Sequence, residues 1–181
     1  DARIRVLFNN RGNATDTNGD WTNGGALGAL DSAQNLSVAD LDRDGDLDVL
    51  ASSNGGSGDA VVWYENDGLG NFGSAQTIVT SPSDINDITT GDPDHDGDTD
   101  VLLARGSGVY IAENLGANGA TWDLSMVAAR ADTVDATFGD MDNDGDIDIA
   151  AVSSTGGTAV WFENLTLHGA VTWADNETVV M

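Results

Sequence analysis

The sequence predicts an all-β repeat fold, a row of four-stranded antiparallel units, and three observations predict it. First, three nine-residue stretches share one pattern: DLDRDGDLD at 40–48, DPDHDGDTD at 92–100 and DMDNDGDID at 140–148. Second, a short run of β-prone or small residues follows each at once, namely VLASS, VLLAR and IAAVSS. Third, an aromatic, apolar stretch closing in Glu-Asn comes next: VVWYEN (61–66), VYIAEN (109–114) and VWFEN (160–164). The acidic stretches start 52 and then 48 residues apart, so the chain is an internal repeat of about fifty residues.

Taken in order, the elements begin with RVLFNN (5–10), a fourth copy of the Glu-Asn marker with Asn in place of Glu. It has no acidic stretch before it, and with the segment from Trp21 to Leu30 it makes half a unit. The first full unit reads as four strands: LSVAD (36–40), DVLASS (48–53), AVVWYEN (60–66) and SAQTIVT (74–80). The acidic loop joins the first two, NGGSGD (54–59) the next two, and NDGLGNFG (66–73) the last two. These connections are Gly, Asn, Asp and Ser, the residues that tight turns demand. The second unit runs from Ile85 to about Ala129 and the third from Val134 to about Val180. Both prolines, Pro82 and Pro93, fall outside strand interiors. The second strand of each unit is apolar or small on both faces, so both faces are expected to be covered. No helical pattern occurs. Repeated four-stranded antiparallel units of this length read as blades of a β-propeller. The expected organisation is a single repeat domain over 1–181: a half blade (1–34) and three blades (35–81, 82–131 and 132–181).

Five carboxylates within nine residues repel one another, and a bound cation removes the conflict. Oxygen-only donors point to a hard ion, and Ca²⁺ suits them best because it accepts six to eight oxygens in flexible geometry. The Gly at position six has a backbone reason: a loop curling round an ion needs a sharp turn with positive φ. The loop is not an EF-hand, which requires Glu at position twelve. That position holds Ala51, Leu103 and Ala151 here.

At these residues the chain resembles the FG-GAP/VCBS repeat of integrin α-chain propellers and of many secreted bacterial proteins. The likeness rests on D-x-D-x-D-G-x-x-D, on the apolar strand after it and on Asn-Phe-Gly at 71–73, and it covers nearly the whole chain. The resemblance implies three calcium sites, each in the hairpin between strands one and two of a blade. It implies side-chain ligands at positions one, three, five and nine. These are Asp40, Asp42, Asp44 and Asp48; Asp92, Asp94, Asp96 and Asp100; and Asp140, Asp142, Asp144 and Asp148. It implies backbone carbonyl ligands at position seven, from Asp46, Asp98 and Asp146, whose carboxylates would then face solvent or brace the site from outside. Propellers close with four or more blades. Three blades and a half blade therefore predict an open or incomplete ring, completed by further blades of a longer chain or by neighbouring copies.

Composition narrows the function. The net charge is −25, Lys and Cys are absent, and 27 of the 31 acids are Asp, 15 of them in the three loops. Three Ca²⁺ would offset six charges and leave a strongly acidic surface, which disfavours nucleic acid and anionic membranes. Disulfides and thiolate metal sites are impossible. No apolar run reaches the 18 residues of a membrane span. The chain starts at Asp1 without a signal peptide, which fits a mature secreted protein, although an excised domain would look the same.

His95 and His168 belong to no recognisable nucleophile–base arrangement, and metal ligation already accounts for the carboxylate spacing, so the expectation is a protein without catalysis. Glu65, Glu113 and Glu163 recur at one position, either as a carboxylate ring that could bond a sugar or as strand-end residues bonding a turn. Trp63, Tyr110 and Trp161 read as inter-blade core, whereas Trp21, Trp122 and Trp173 fall nearer the outer strands. Glycosylation sequons occur at Asn13, Asn35, Asn164 and Asn176. The leading expectation is a calcium-binding extracellular structural or adhesive module, self-assembling into a surface filament or matrix. The alternatives are a lectin-like or protein-binding propeller and a non-catalytic piece of a larger secreted enzyme.

Overall fold

The computed structural model describes residues 3–9, 21–54, 59–81, 84–116, 118–165 and 172–176. All regular structure among them is β. The half blade is β1 (Arg3–Asn9) paired with β2 (Trp21–Ala29). The first blade runs in order through β3 (Ala33–Ala39), β4 (Asp48–Ser53), β5 (Asp59–Tyr64) and β6 (Gln76–Ser81). The second is β7 (Ile85–Gly91), β8 (Asp100–Arg105), β9 (Gly108–Asn114) and β10 (Trp122–Ala129). The third is β11 (Thr133–Gly139), β12 (Asp148–Ser153), β13 (Thr158–Asn164) and β14 (Trp173–Asn176). Every pairing is antiparallel and joins sequence neighbours, as consecutive hairpins require. No sheet closes on itself, so the blades form an open propeller-like array.

Successive blades pack face to face, and their apolar residues explain why. Leu50, Val61 and Trp63 on one face of the first blade meet Ile88, Val101, Leu103 and Ala112 of the second in a buried cluster. Leu102, Ala104 and Val109 on the second blade's other face meet Ala136, Ile149, Val160 and Phe162 of the third. Tyr64, Ala51 and Val62 face Ile4, Leu27 and Leu30 of the half blade. The strand-two residues thus alternate between two interfaces. This is why β8, with a blade on either side, is buried along its whole length, as the two-sided apolar pattern predicts. The first strands β3, β7 and β11 pack side by side at the inner edge.

The structure separates residues that look equivalent in sequence. Trp63 pairs with Leu50, and Trp161 pairs with Ala150 at the same register. Trp63 is 1% exposed under the second blade. Trp161 is half-buried on the third blade's outward face, where Val152 is 41% exposed. Tyr110 is also half-buried, with the Arg105 guanidinium 4.1 Å from its ring centre. Trp122 and Trp173 are less exposed than their outer-strand positions imply, because both pack against the inter-blade clusters. The Trp21 side chain, Asn13 and His168 lie outside the described residues.

Candidate metal centre

Each acidic stretch forms the tight connection between a blade's first and second strands, and all three are built the same way. Position six is Gly with φ of +95°, +88° and +99° at Gly45, Gly97 and Gly145. Position four is also left-handed: φ is 62° at Arg43, 57° at His95 and 64° at Asn143. The Gly amide donates back to the first Asp, from Gly45, Gly97 and Gly145 to Asp40, Asp92 and Asp140 Oδ2 at 3.0, 3.0 and 3.3 Å. The position-five amide donates to the third-position carboxylate, at 3.3, 3.2 and 3.2 Å for Asp44, Asp96 and Asp144. The position-seven amide donates to the fifth, at 2.9, 2.7 and 2.9 Å for Asp46, Asp98 and Asp146. Backbone donors therefore hold these carboxylates against their own loop, although Asp44, Asp100 and Asp144 stay outside the converging oxygens of each loop.

Position nine joins the loop to the sheet. One oxygen of Asp48, Asp100 and Asp148 accepts the amide of Asn66, Asn114 and Asn164 on or just beyond the third strand, each at 2.8 Å. The other oxygen of Asp48 and Asp148 accepts the position-two amide, from Leu41 at 3.1 Å and Met141 at 2.9 Å. The middle loop has Pro93 there, which has no N–H to give. Burial raises the Asp48 carboxyl to about 6 and the Asp100 carboxyl to about 8. The missing Pro93 donor is one reason that Asp100 lies higher, since a bond to the charged form would favour it.

Carboxylate oxygens lie within 4.8 Å of one another in each loop: Asp40, Asp42 and Asp48; Asp92, Asp94 and Asp96; Asp140, Asp142 and Asp148. Asp40 Oδ1 and Asp92 Oδ1 are buried and accept no hydrogen bond. A buried carboxylate oxygen without a donor carries a desolvation penalty that a cation would relieve. The donor set is oxygen only. The loops therefore fit a hard divalent ion, with Asp40 and Asp92 offering one free oxygen each beside the Gly-bonded one. Of the position-seven residues, Asp98 and Asp146 are only 7% and 6% exposed.

Three kinds of residue at these loops were not evident in the sequence. The Asn114 side-chain amide donates to Leu41 O in the preceding blade's loop at 3.0 Å, and Asn164 donates to Pro93 O at 2.9 Å. The signal was the invariant Asn closing each Glu-Asn marker. Arg43 reaches from the first loop to the second, with Nε 2.8 Å from Asp98 Oδ1. On β7, Asp87 in its protonated form donates to the Asp135 carboxylate and accepts the Ala136 amide, stitching β7 to β11. Two sequon residues also have structural work. Asn164 is 1% exposed, and Asn35 Nδ2 donates to Asn86 O at 2.9 Å across the first blade seam.

Fold and loops together define a class: a β-propeller-type repeat protein with an acidic loop at the first hairpin of each blade. A family model described as FG-GAP-like repeat matches residues 40–103 and again 92–151, and the chain belongs to this family. No curated protein and no solved structure matches the chain.

Proposed function

We infer that the chain is a calcium-stabilised extracellular module that acts through structure and adhesion. Its loops hold three Ca²⁺, with side-chain ligands at positions one, three, five and nine and the position-seven carbonyl. The observation that carries this reading is the unpartnered, buried Asp40 Oδ1 and Asp92 Oδ1 inside converging carboxylates. FG-GAP-like repeats are typical of extracellular and surface proteins, where millimolar calcium would keep such loops filled. Among the described residues, β1 pairs with β2 alone and no sheet covers the outward face of the third blade. An open strand edge and an uncovered blade face are the surfaces through which such modules associate with further blades or with copies of themselves. The test is thermal melting and particle size with calcium and with excess chelator. A melting temperature unmoved by chelator removes the calcium reading, and a compact monomer of about the chain mass, 18.7 kDa, in calcium removes self-association.

A second reading is lectin-like binding, favoured by one cleft. Ile111 holds in the second blade the register position that Trp63 fills in the first. Beside it a cavity of about 210 Å³ is lined by Ile111, Glu113, Ser125, Met126 and Trp173 together with Asp94 and Asp100. Saturable binding on a glycan array that is lost in Trp173→Ala would support this reading.

A further inference from the structure

Position four is where the three loops differ most in charge: Arg43, His95 and Asn143. The left-handed turn there is easy for Asn and costs an ordinary side chain about 1–2 kcal/mol. For Arg43 the turn throws the side chain off its own loop and onto the next. Its Nε donates to Gly97 O at 2.6 Å and its Nη2 to Asp96 O at 2.9 Å. The same Nε lies 2.8 Å from Asp98 Oδ1, an ion pair outside hydrogen-bond alignment because the N–H is aimed at Gly97.

These acceptors matter because of where they stand. Asp96 and Gly97 are positions five and six of the middle loop, immediately before the position-seven carbonyl. A planar guanidinium bonded to two successive carbonyls holds that backbone in the turn that aims the next one inward. It also sets a positive charge beside the Asp98 carboxylate, which stands among four other carboxylates. Arg43 reaches this place from the first loop's left-handed turn, the conformation that an ion in the first loop would hold. The junction between the second and third loops has His95 at the equivalent position and so lacks a permanent guanidinium.

We propose that Arg43 is a positioning residue that couples the first two cation sites, so that filling the first loop tightens the second. By linkage the reverse holds equally. The third loop lacks this guanidinium link to the second. The inference rests on the calcium reading above and adds to it an order of dependence among the sites.

Three glycine amides report the sites separately. Gly45, Gly97 and Gly145 each donate to the first Asp of their own loop, so their ¹H–¹⁵N signals follow the three loops during a calcium titration. The first loop is disabled with Asp42→Asn and Asp44→Asn, in the native background and in Arg43→Gln. In the native background the Gly97 midpoint is expected to weaken about tenfold while Gly145 shifts far less. In Arg43→Gln the Gly97 midpoint is already weaker, and disabling the first loop adds nothing further. Arg43→Lys, which keeps the charge but not the fork, restores part of the coupling. The Gly145 midpoint certifies that each variant is folded. The proposal is overturned if disabling the first loop leaves Gly97 unchanged, or shifts it equally with and without Arg43. If no glycine responds to calcium, the calcium reading itself falls instead.

Discussion

The Asn114 side-chain amide donates to the Leu41 carbonyl at 3.0 Å, across 73 residues of sequence and across the seam between two blades. Its backbone amide simultaneously bonds Asp100 of its own loop at 2.8 Å. One residue thus fastens a blade's third strand to its own acidic loop and to the loop before it. Asn164 repeats the arrangement with Pro93 O at 2.9 Å and Asp148 at 2.8 Å.

This arrangement sets a difference between otherwise equal asparagines. Asn66 Nδ2 bonds Leu47 O within its own blade at 3.0 Å, at an exposed place. Asn114→Ala leaves the buried Leu41 carbonyl without its donor, a loss of about 2 kcal/mol. Asn66→Ala is expected to cost less than half as much. Urea denaturation of both variants at saturating calcium checks the order, and equal losses would contradict the seam role.

The proposed ligation, through the side chain at position five and the backbone at position seven, has a direct consequence. Asp44→Ala should weaken the first site about 10- to 100-fold, and Asp46→Ala only marginally. The first loop is the right place to compare them, because in the middle loop Asp98 is tied up with Arg43. Calorimetric calcium titration gives the two affinities, and similar losses would mean that the ligand assignment is wrong.

The inner edge should respond to pH on its own account. Burial, the Asp135 charge and the hydrogen bond that protonated Asp87 donates to Asp135 raise the Asp87 carboxyl to about 6. A proton held more tightly by the folded chain stabilises it fully below the ordinary carboxylate range and is lost as pH rises through about 6. With calcium saturating, the melting temperature should therefore fall by a few degrees between pH 5 and 7.5 from this pair. Asp135→Asn keeps an acceptor oxygen without the charge and should flatten that fall. A fall of the same size in the variant would locate the effect elsewhere.

Two tryptophans at one register position should behave differently. Trp63 is sealed between the first two blades, so Trp63→Ala is expected to cost about 3–5 kcal/mol. Trp161 lies half-buried on the third blade's outward face, and Trp161→Ala should cost about 1 kcal/mol. If that face carries the association, Trp161→Ala should also shrink calcium-dependent particles in light scattering while leaving the melting temperature nearly intact.

Most of the fold was legible because its signals are local. The strand after each acidic loop begins at its last Asp, as expected, with β4, β8 and β12 starting at Asp48, Asp100 and Asp148. The turn at Gly45, Gly97 and Gly145 needs positive φ, and only the backbone at that residue decides it. Where the expectation slipped, contacts distant in sequence intervened. Trp122 and Trp173 sit on outer strands yet are drawn into the seams, because a blade's fourth strand still borders the preceding blade. Asn164 reads as a sequon, yet its amide bonds Pro93, 71 residues away.

The sequence alone therefore determined the repeat, the four-strand unit and the convergence of carboxylates within each nine-residue loop. Periodicity, turn chemistry and like-charge crowding act over a few residues and are written in order along the chain. Only the tertiary structure decided which side chains cross from blade to blade: Arg43 onto the second loop, Asn114 onto the first, and Asp87 onto Asp135. Those partners lie 48 or more residues apart, and nothing in either segment specifies the other until the apolar faces pack and bring the two loops within a side chain's reach.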